Sequence, residues 1–155
     1  MSAELGELSD LYQEVILEHS KAPRNFRKPE ATNRHAEGYN PLCGDRCSVY
    51  LDVENGAIKD IGFQGSGCAI SRASASMMTQ ALKGKSKEEA AKLFEEFHNL
   101  VTGDPEAMKN AADLGKLAAF GGVSKFPARV KCATLAWHTL QSALEGKEDE
   151  TVSTE

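Results

Sequence analysis

The chain has 155 residues, 41% of them hydrophobic and 26% charged, the balance of one globular domain large enough to build a core without disulfide staples. Its net charge of −5 speaks against nucleic-acid binding, which favours a basic face, and no apolar run approaches the roughly 18 residues of a membrane span. The polar, acidic start MSAELGELSD does not resemble a secretory signal. The cytoplasm is the expected compartment, and thiols stay reduced there, so the four cysteines read as metal ligands or reactive groups rather than disulfides.

Leu8, Leu11, Tyr12, Val15 and Ile16 recur at helical spacing behind Ser9 and Asp10, which predicts a helix over 8–20. The stretch KAPRNFRKPEATNRHAEGYNP is rich in proline and polar groups and reads as an extended connection. In CSVYLDV, Cys47, Val49, Leu51 and Val53 share one face of a strand; ENGA supplies an Asn-Gly turn, and IKDIGFQG returns as a second strand. After Gly65 and Gly67 the spacing of Ile70, Ala73, Met77, Met78 and Ala81 is helical. Ser86 and Glu89 form a capping box ahead of a helix carrying Leu93, Phe94, Phe97 and Leu100. Asp104-Pro105 starts a short Ala-rich helix, and a last helix begins near Pro127 with Val130, Ala133, Trp137, Leu140 and Leu144. The fold class is α+β, a small antiparallel sheet packed with helices. Residues 1–145 form a single domain, and the charged tail 146–155 is expected to be disordered.

Three cysteines fall at ends of predicted elements. Cys43 lies on the loop before the first strand, Cys68 at the mouth of a helix, and Cys132 in an early turn of the last helix. A helix N-terminus stabilises a thiolate, which favours Cys68 as a ligand. Asp45 stands two positions from Cys43 with Gly44 between them, so sulfur and carboxylate can reach one ion, and zinc accepts both donors. Three thiolates and a carboxylate on Zn²⁺ sum to a formal charge of about −2; Arg46, Arg129 and Lys131 are the neighbouring cations in sequence. Cys47 shares strand parity with apolar residues, so it reads as a small buried hydrophobe rather than a fourth sulfur ligand.

Four stretches together resemble the U-type iron–sulfur cluster assembly family, the IscU/NifU N-terminal-like proteins, and within it the SufU-like branch. They are LYQEVILEHSKAPRNF (11–26), NPLCGDRC (40–47), FQGSGCAISRASASMM (63–78) and FPARVKCATLAW (126–137). The resemblance implies a SufE/IscU-like fold, a three-stranded antiparallel sheet packed with about five to six helices. It implies a metal site made by Cys43, Asp45, Cys68 and Cys132, with Cys43 as the residue that accepts sulfur as a persulfide. It also implies two partners: a SufS-like cysteine desulfurase that donates the sulfur, and a downstream Suf-type assembly complex that receives it.

Scaffold members of that family carry a His before the last cysteine, in a Leu-Pro-Pro-Val-Lys stretch. Here the neighbour is Lys131 and the stretch reads KFPARVKC; Lys is a cation and a poor ligand. The segment KSKEEAAKLFEEFHNLVTGDPEAM resembles the insertion of the Suf branch. Both features favour a zinc-dependent sulfur carrier, a sulfurtransferase acting with the desulfurase, over a scaffold on which a [2Fe–2S] cluster is built. A structural zinc domain that only binds partners is the third reading; the carboxylate ligand and the loop position of Cys43 weigh against it.

Sulfur acceptance needs a thiolate. Zinc would keep Cys43 deprotonated while damping its reactivity, so a carrier must release that corner when the donor arrives, and Pro41 and Gly44 place Cys43 on a loop able to swing. Arg129 and Lys131 are the candidate orienting cations. His19 reads as a cation at a helix C-terminus, His98 and His138 as surface or edge residues, and His35 as the most plausible outside donor. Met77 and Met78 read as packing residues. PRNF (23–26) fits either a docking or a structural role. A monomer with no membrane contact is expected.

Overall fold

The computed structural model describes residues 13–146 and the backbone of 151–153. A first helix, α1, covers 13–21; the expected start of that helix, with Ser9 and Asp10, lies outside the described residues. Strands β1 (Arg34–Asn40), β2 (Asp45–Glu54) and β3 (Ala57–Ser66) follow, then α2 (Ala69–Leu82), α3 (Lys87–Val101) and the short α4 (Pro105–Lys109). A 3₁₀ segment, Ala111–Lys125, leads into α5 (Pro127–Glu145), and β4 (Thr151–Ser153) ends the described chain. The sheet order is β3-β2-β1-β4, with β1, β2 and β3 antiparallel and β4 parallel to β1.

Alternation along β2 buries Cys47, Val49 and Leu51 on the helix-covered face, as the period-2 pattern requires. Asn55 and Gly56 both have positive φ, 53° and 77°, so ENGA makes the primed turn that matches strand twist. The capping box of α3 forms as expected, with Glu89 N–H donating to Ser86 Oγ at 3.1 Å and Ser86 N–H to Glu89 Oε1 at 3.3 Å. Helix α5 lies directly on β1: a Cβ at Gly38 would meet Thr139 Oγ1 at 2.0 Å. Trp137, fully buried on α5, donates its indole N–H to Ser74 Oγ of α2 at 3.0 Å and stacks on Phe97 of α3 at 4.5 Å between centroids. One indole thereby ties three helices together. Among the described residues no helix is long and apolar enough to cross a membrane.

Two expectations are corrected. The stretch before β2 is not a connection throughout, because its last part, Arg34–Asn40, is a strand that pairs with Asp45–Leu51. Its buried positions are Ala36, Gly38 and Asn40, too small or polar to give a strand signal. The tail expected to be disordered holds β4, whose Thr151 and Val152 pair with Glu37 and Gly38; β-branched residues suit a sheet edge. As expected, Asp104-Pro105 starts a short helix, with Asp104 at the N-cap and Pro105 in its first turn; the Ala-rich stretch that follows is a 3₁₀ run interrupted at Gly115, φ 59° and ψ −131°.

PRNF serves the fold. Arg24 N–H donates to Ser76 Oγ at 2.8 Å, and Asn25 Nδ2 donates to Thr79 Oγ1 at 3.0 Å. Phe63 N–H donates to Asn25 O at 3.0 Å, and Phe26 packs edge-on against Phe63. His19 is not a solvated cation at a helix end; it is buried, and its Nδ1 lies 2.7 Å from Ser76 Oγ.

Candidate metal centre

The β1–β2 hairpin builds one side of the site. Asn40 and Asp45 are paired across the sheet, and Gly44 N–H donates to Asn40 O at 2.8 Å, closing a tight connection between them. Gly44 takes φ 74° with open space around it, a left-handed residue that lets the chain turn without a Cβ penalty. Cys43 is therefore presented on an exposed hairpin turn rather than in a loop before a first strand.

Asp45 opens β2 and is buried. Its Oδ1 accepts the Cys68 backbone N–H at 2.9 Å, so the carboxylate is held at the start of α2. Cys68 is the N-cap of that helix, its sulfur accepting from Ser71 N–H at 3.5 Å. Gly67 makes this junction fit: a Cβ there would come within 2.8 Å of Asp45 Oδ1 and 3.0 Å of its Cγ. Cys132 lies in the second turn of α5 and is buried.

Three element ends thus meet. Cys43 Sγ donates to Asp45 Oδ2 at 3.1 Å, Cys43 Sγ lies 3.2 Å from Cys132 Sγ, and Cys68 Sγ donates to Asp45 Oδ2 at 3.7 Å. The donor atoms of Cys43, Asp45 and Cys132 all lie within 4.8 Å of one another. Cys68 stands at the rim of this group, joined to it through the carboxylate. Zinc–ligand lengths of about 2.3 Å to sulfur and about 2.1 Å to oxygen give tetrahedral edges of about 3.8 Å between sulfurs and about 3.6 Å from sulfur to oxygen. The observed separations bracket the second value and fall somewhat short of the first.

The electrostatics point the same way. Burial raises the Cys132 thiol pKa far above the ordinary range, and the thiol's hydrogen bonds to Cys43 and Asp45, with the nearby Cys68 and Asp45 charges, add to this. Burial also raises that of Cys43, and the neighbouring Asp45 carboxylate contributes in the same direction. Thiolates and a carboxylate packed this closely cannot all ionise without a cation among them. The cluster of Cys43, Asp45 and Cys132 could therefore hold a thiophilic divalent ion, with Cys68 beside it through Asp45 Oδ2.

Other candidates fall elsewhere. Cys47 is buried in the hydrophobic core, its pKa pushed up to about 12 by burial. Arg129 is exposed with its guanidinium over the Phe126 ring, and Arg46 lies over Tyr39. Among the described residues no salt bridge joins Arg46, Arg129 or Lys131 to the cluster. His35 stacks on Tyr50 and pairs with Glu37 at 2.7 Å on the sheet's outer face, and His98 and His138 lie against Phe94. One residue that sequence reasoning passed over is Asn40. Its side chain is fully buried, and Nδ2 donates to Cys43 Sγ at 3.0 Å and to Cys132 Sγ at 3.7 Å. An Asn directly before Pro41 and three positions from a cysteine is a weak signal; only the burial gives it meaning.

The profile of the NifU-like N-terminal domain matches residues 11–145, nearly the whole chain and all four donors. The chain belongs to this family. A NifU-like relative from Bacillus subtilis (strain 168), the zinc-dependent sulfurtransferase SufU, is 42% identical over 141 residues, covering 91% of this chain and 94% of its own. The iron–sulfur cluster assembly scaffold protein IscU of Streptococcus pyogenes serotype M1 is 41% identical over 141 residues, 91% of this chain and 87% of its own. A solved structure from Fervidobacterium islandicum AW-1, described as a candidate scaffold protein for the SUF system, superposes with a TM-score of 0.75 at 36% identity. It covers 84% of this chain and 94% of that one.

Proposed function

We propose that this chain is a zinc-dependent sulfur carrier for iron–sulfur cluster assembly, accepting persulfide sulfur from a SufS-like cysteine desulfurase at Cys43 and passing it to a Suf-type assembly complex. The observation that carries this reading is the asymmetry of the donor set. Asp45 is fixed by β2 and the Cys68 amide, Cys68, though exposed, by its place as the α2 cap, and Cys132 by α5, whereas Cys43 is exposed on a turn that belongs to no helix or strand. An inert structural site has no need of an exchangeable corner, and a carrier does. When bound, the ion supplies charge that keeps the thiols deprotonated near neutral pH.

The transfer is a thiol exchange. The Cys43 thiolate attacks the outer sulfur of the donor's persulfide, a new sulfur–sulfur bond forms on Cys43, the donor's sulfur–sulfur bond breaks, and its cysteine leaves as thiolate. The proton stays on the transferred sulfur, and no outside oxidant is needed. Lys131 beside Cys132, where a scaffold of the family carries His, supports the carrier reading.

A [2Fe–2S] scaffold is the second reading, favoured by near-equal identity to the IscU relative and by the suitability of thiolates for iron. Metal and acid-labile sulfide content of anaerobically purified protein, with its visible spectrum, separates the two. One zinc without iron or colour is expected; brown protein with iron and sulfide in equal amounts would replace the carrier reading with the scaffold. Cys43→Ser should fold normally and take up no sulfur from a desulfurase by mass spectrometry, and retained uptake would remove Cys43 from its role.

A further inference from the structure

Among the described residues no cationic side chain forms a salt bridge with the donor set, yet a neutral donor is aimed at two of its sulfurs, the exposed Cys43 and the buried Cys132. Asn40 ends β1, is fully buried, and uses every polar atom of its side chain inside the site. Its Oδ1 accepts the Leu42 backbone N–H at 3.1 Å, which braces the turn bearing Cys43. Its Nδ2 carries two hydrogens, and both go to sulfur, Cys43 at 3.0 Å and Cys132 at 3.7 Å. The Oδ1 contact fixes which way the amide points, because a backbone N–H can only donate.

We propose that Asn40 is a positioning residue of the metal centre, whose side-chain amide bridges the exchangeable sulfur of Cys43 and the anchored sulfur of Cys132 and draws charge from both. This rests on the metal-centre reading above. A thiolate only accepts hydrogen bonds, so both N–H···S contacts would strengthen when ion binding releases the thiol protons to solvent. The amide then does part of the work expected of Arg129 and Lys131 from their places in the sequence. It also stabilises the thiolate charge at the corner that must be released, lowering the energy of the sulfur lone pair and helping to hold the ligand set around a bound ion.

Cobalt(II) in place of zinc makes the sulfur electrons visible as a charge-transfer band. The experiment compares the full chain with Asn40→Asp and Asn40→Ala, recording the cobalt spectrum, zinc affinity by chelator competition and the thermal midpoint. Asn40→Asp keeps an acceptor for Leu42 N–H and loses the donor; Asn40→Ala loses both. Both variants should move the sulfur-to-cobalt band to lower energy, with zinc held about 10- to 100-fold more weakly. A band at the wild-type energy in either variant, whatever the thermal midpoint, would reduce Asn40 to a turn-closing residue. The unmutated chain loaded with cadmium-113 gives a check independent of folding in the variants. A scalar coupling between the metal and the Asn40 amide protons is expected, and its absence overturns the proposal. Wild-type protein that shows no cobalt charge transfer at all would instead overturn the metal-centre reading, and this inference with it.

Discussion

Cys43 Sγ lies 3.2 Å from Cys132 Sγ although 89 positions separate them in the chain. One sulfur is exposed on a turn and the other buried in a helix, so the pair joins a donor on a hairpin turn to one anchored in the core. A metal ion occupying this centre would hold the two sulfurs apart as ligands; without it they are placed to react with each other. Stripped of metal by a chelator and treated with diamide, the chain should form a Cys43–Cys132 disulfide, losing two hydrogens to the oxidant. Peptide mass mapping would identify the pair. Zinc-loaded protein should resist, and oxidation joining Cys68 to Cys132 instead would show that the turn is not the reactive corner.

The junction between β3 and α2 has no spare room. A methyl group at Gly67 would sit 2.8 Å from Asp45 Oδ1, and that carboxylate is buried and bonded to the Cys68 amide. Gly67→Ala should therefore push Asp45 out of line, at a cost of about 1–3 kcal/mol in stability and roughly tenfold or more in zinc affinity. Urea unfolding and chelator competition measure the two effects. Gly44→Ala supplies the contrast: its added methyl meets nothing within 4 Å, but the left-handed φ of 74° strains the turn. It should lower stability by about 1 kcal/mol with a smaller change in metal binding.

Cys47 shows why part of this molecule was legible from sequence. Its strand parity with Val49 and Leu51 reads directly as burial, because side chains alternate faces along a strand, and the structure puts all three in the core. The Asn-Gly turn and the Ser86–Glu89 capping box were equally readable, being local chemistry with one geometry each. Strand β1 was not, since its inward positions Ala36, Gly38 and Asn40 carry little hydrophobic signal and depend on α5 lying across them. Asn40 and His19 were hidden for a related reason: their roles come from partners 92 and 57 positions away. Cys47→Val should leave zinc content unchanged and shift stability by less than about 1.5 kcal/mol. Lost metal in that variant would return Cys47 to the ligand set.

His19 gives the fold a pH dependence. It is buried at the joint between α1 and α2, with Ser76 Oγ against Nδ1 and with Glu18, Arg24 and Lys116 as its charged neighbours. Burial is the main cause of its lowered pKa, and the Arg24 guanidinium acts in the same direction. On acidification the unfolded chain, whose histidine titrates near 6.5, takes up this proton before the folded chain does. Protonation therefore pulls the equilibrium toward unfolding, and stability falls as pH drops below about 6.5 and on through the lower folded value. His138, its pKa lowered by burial and by His98, contributes with the same sign. The urea midpoint should decline between pH 7.5 and pH 5, and His19→Gln should flatten part of that decline, leaving the share due to His138. An unchanged slope in His19→Gln would mean that His19 takes its proton without loss of stability, and that the Ser76 contact does not depend on a neutral ring.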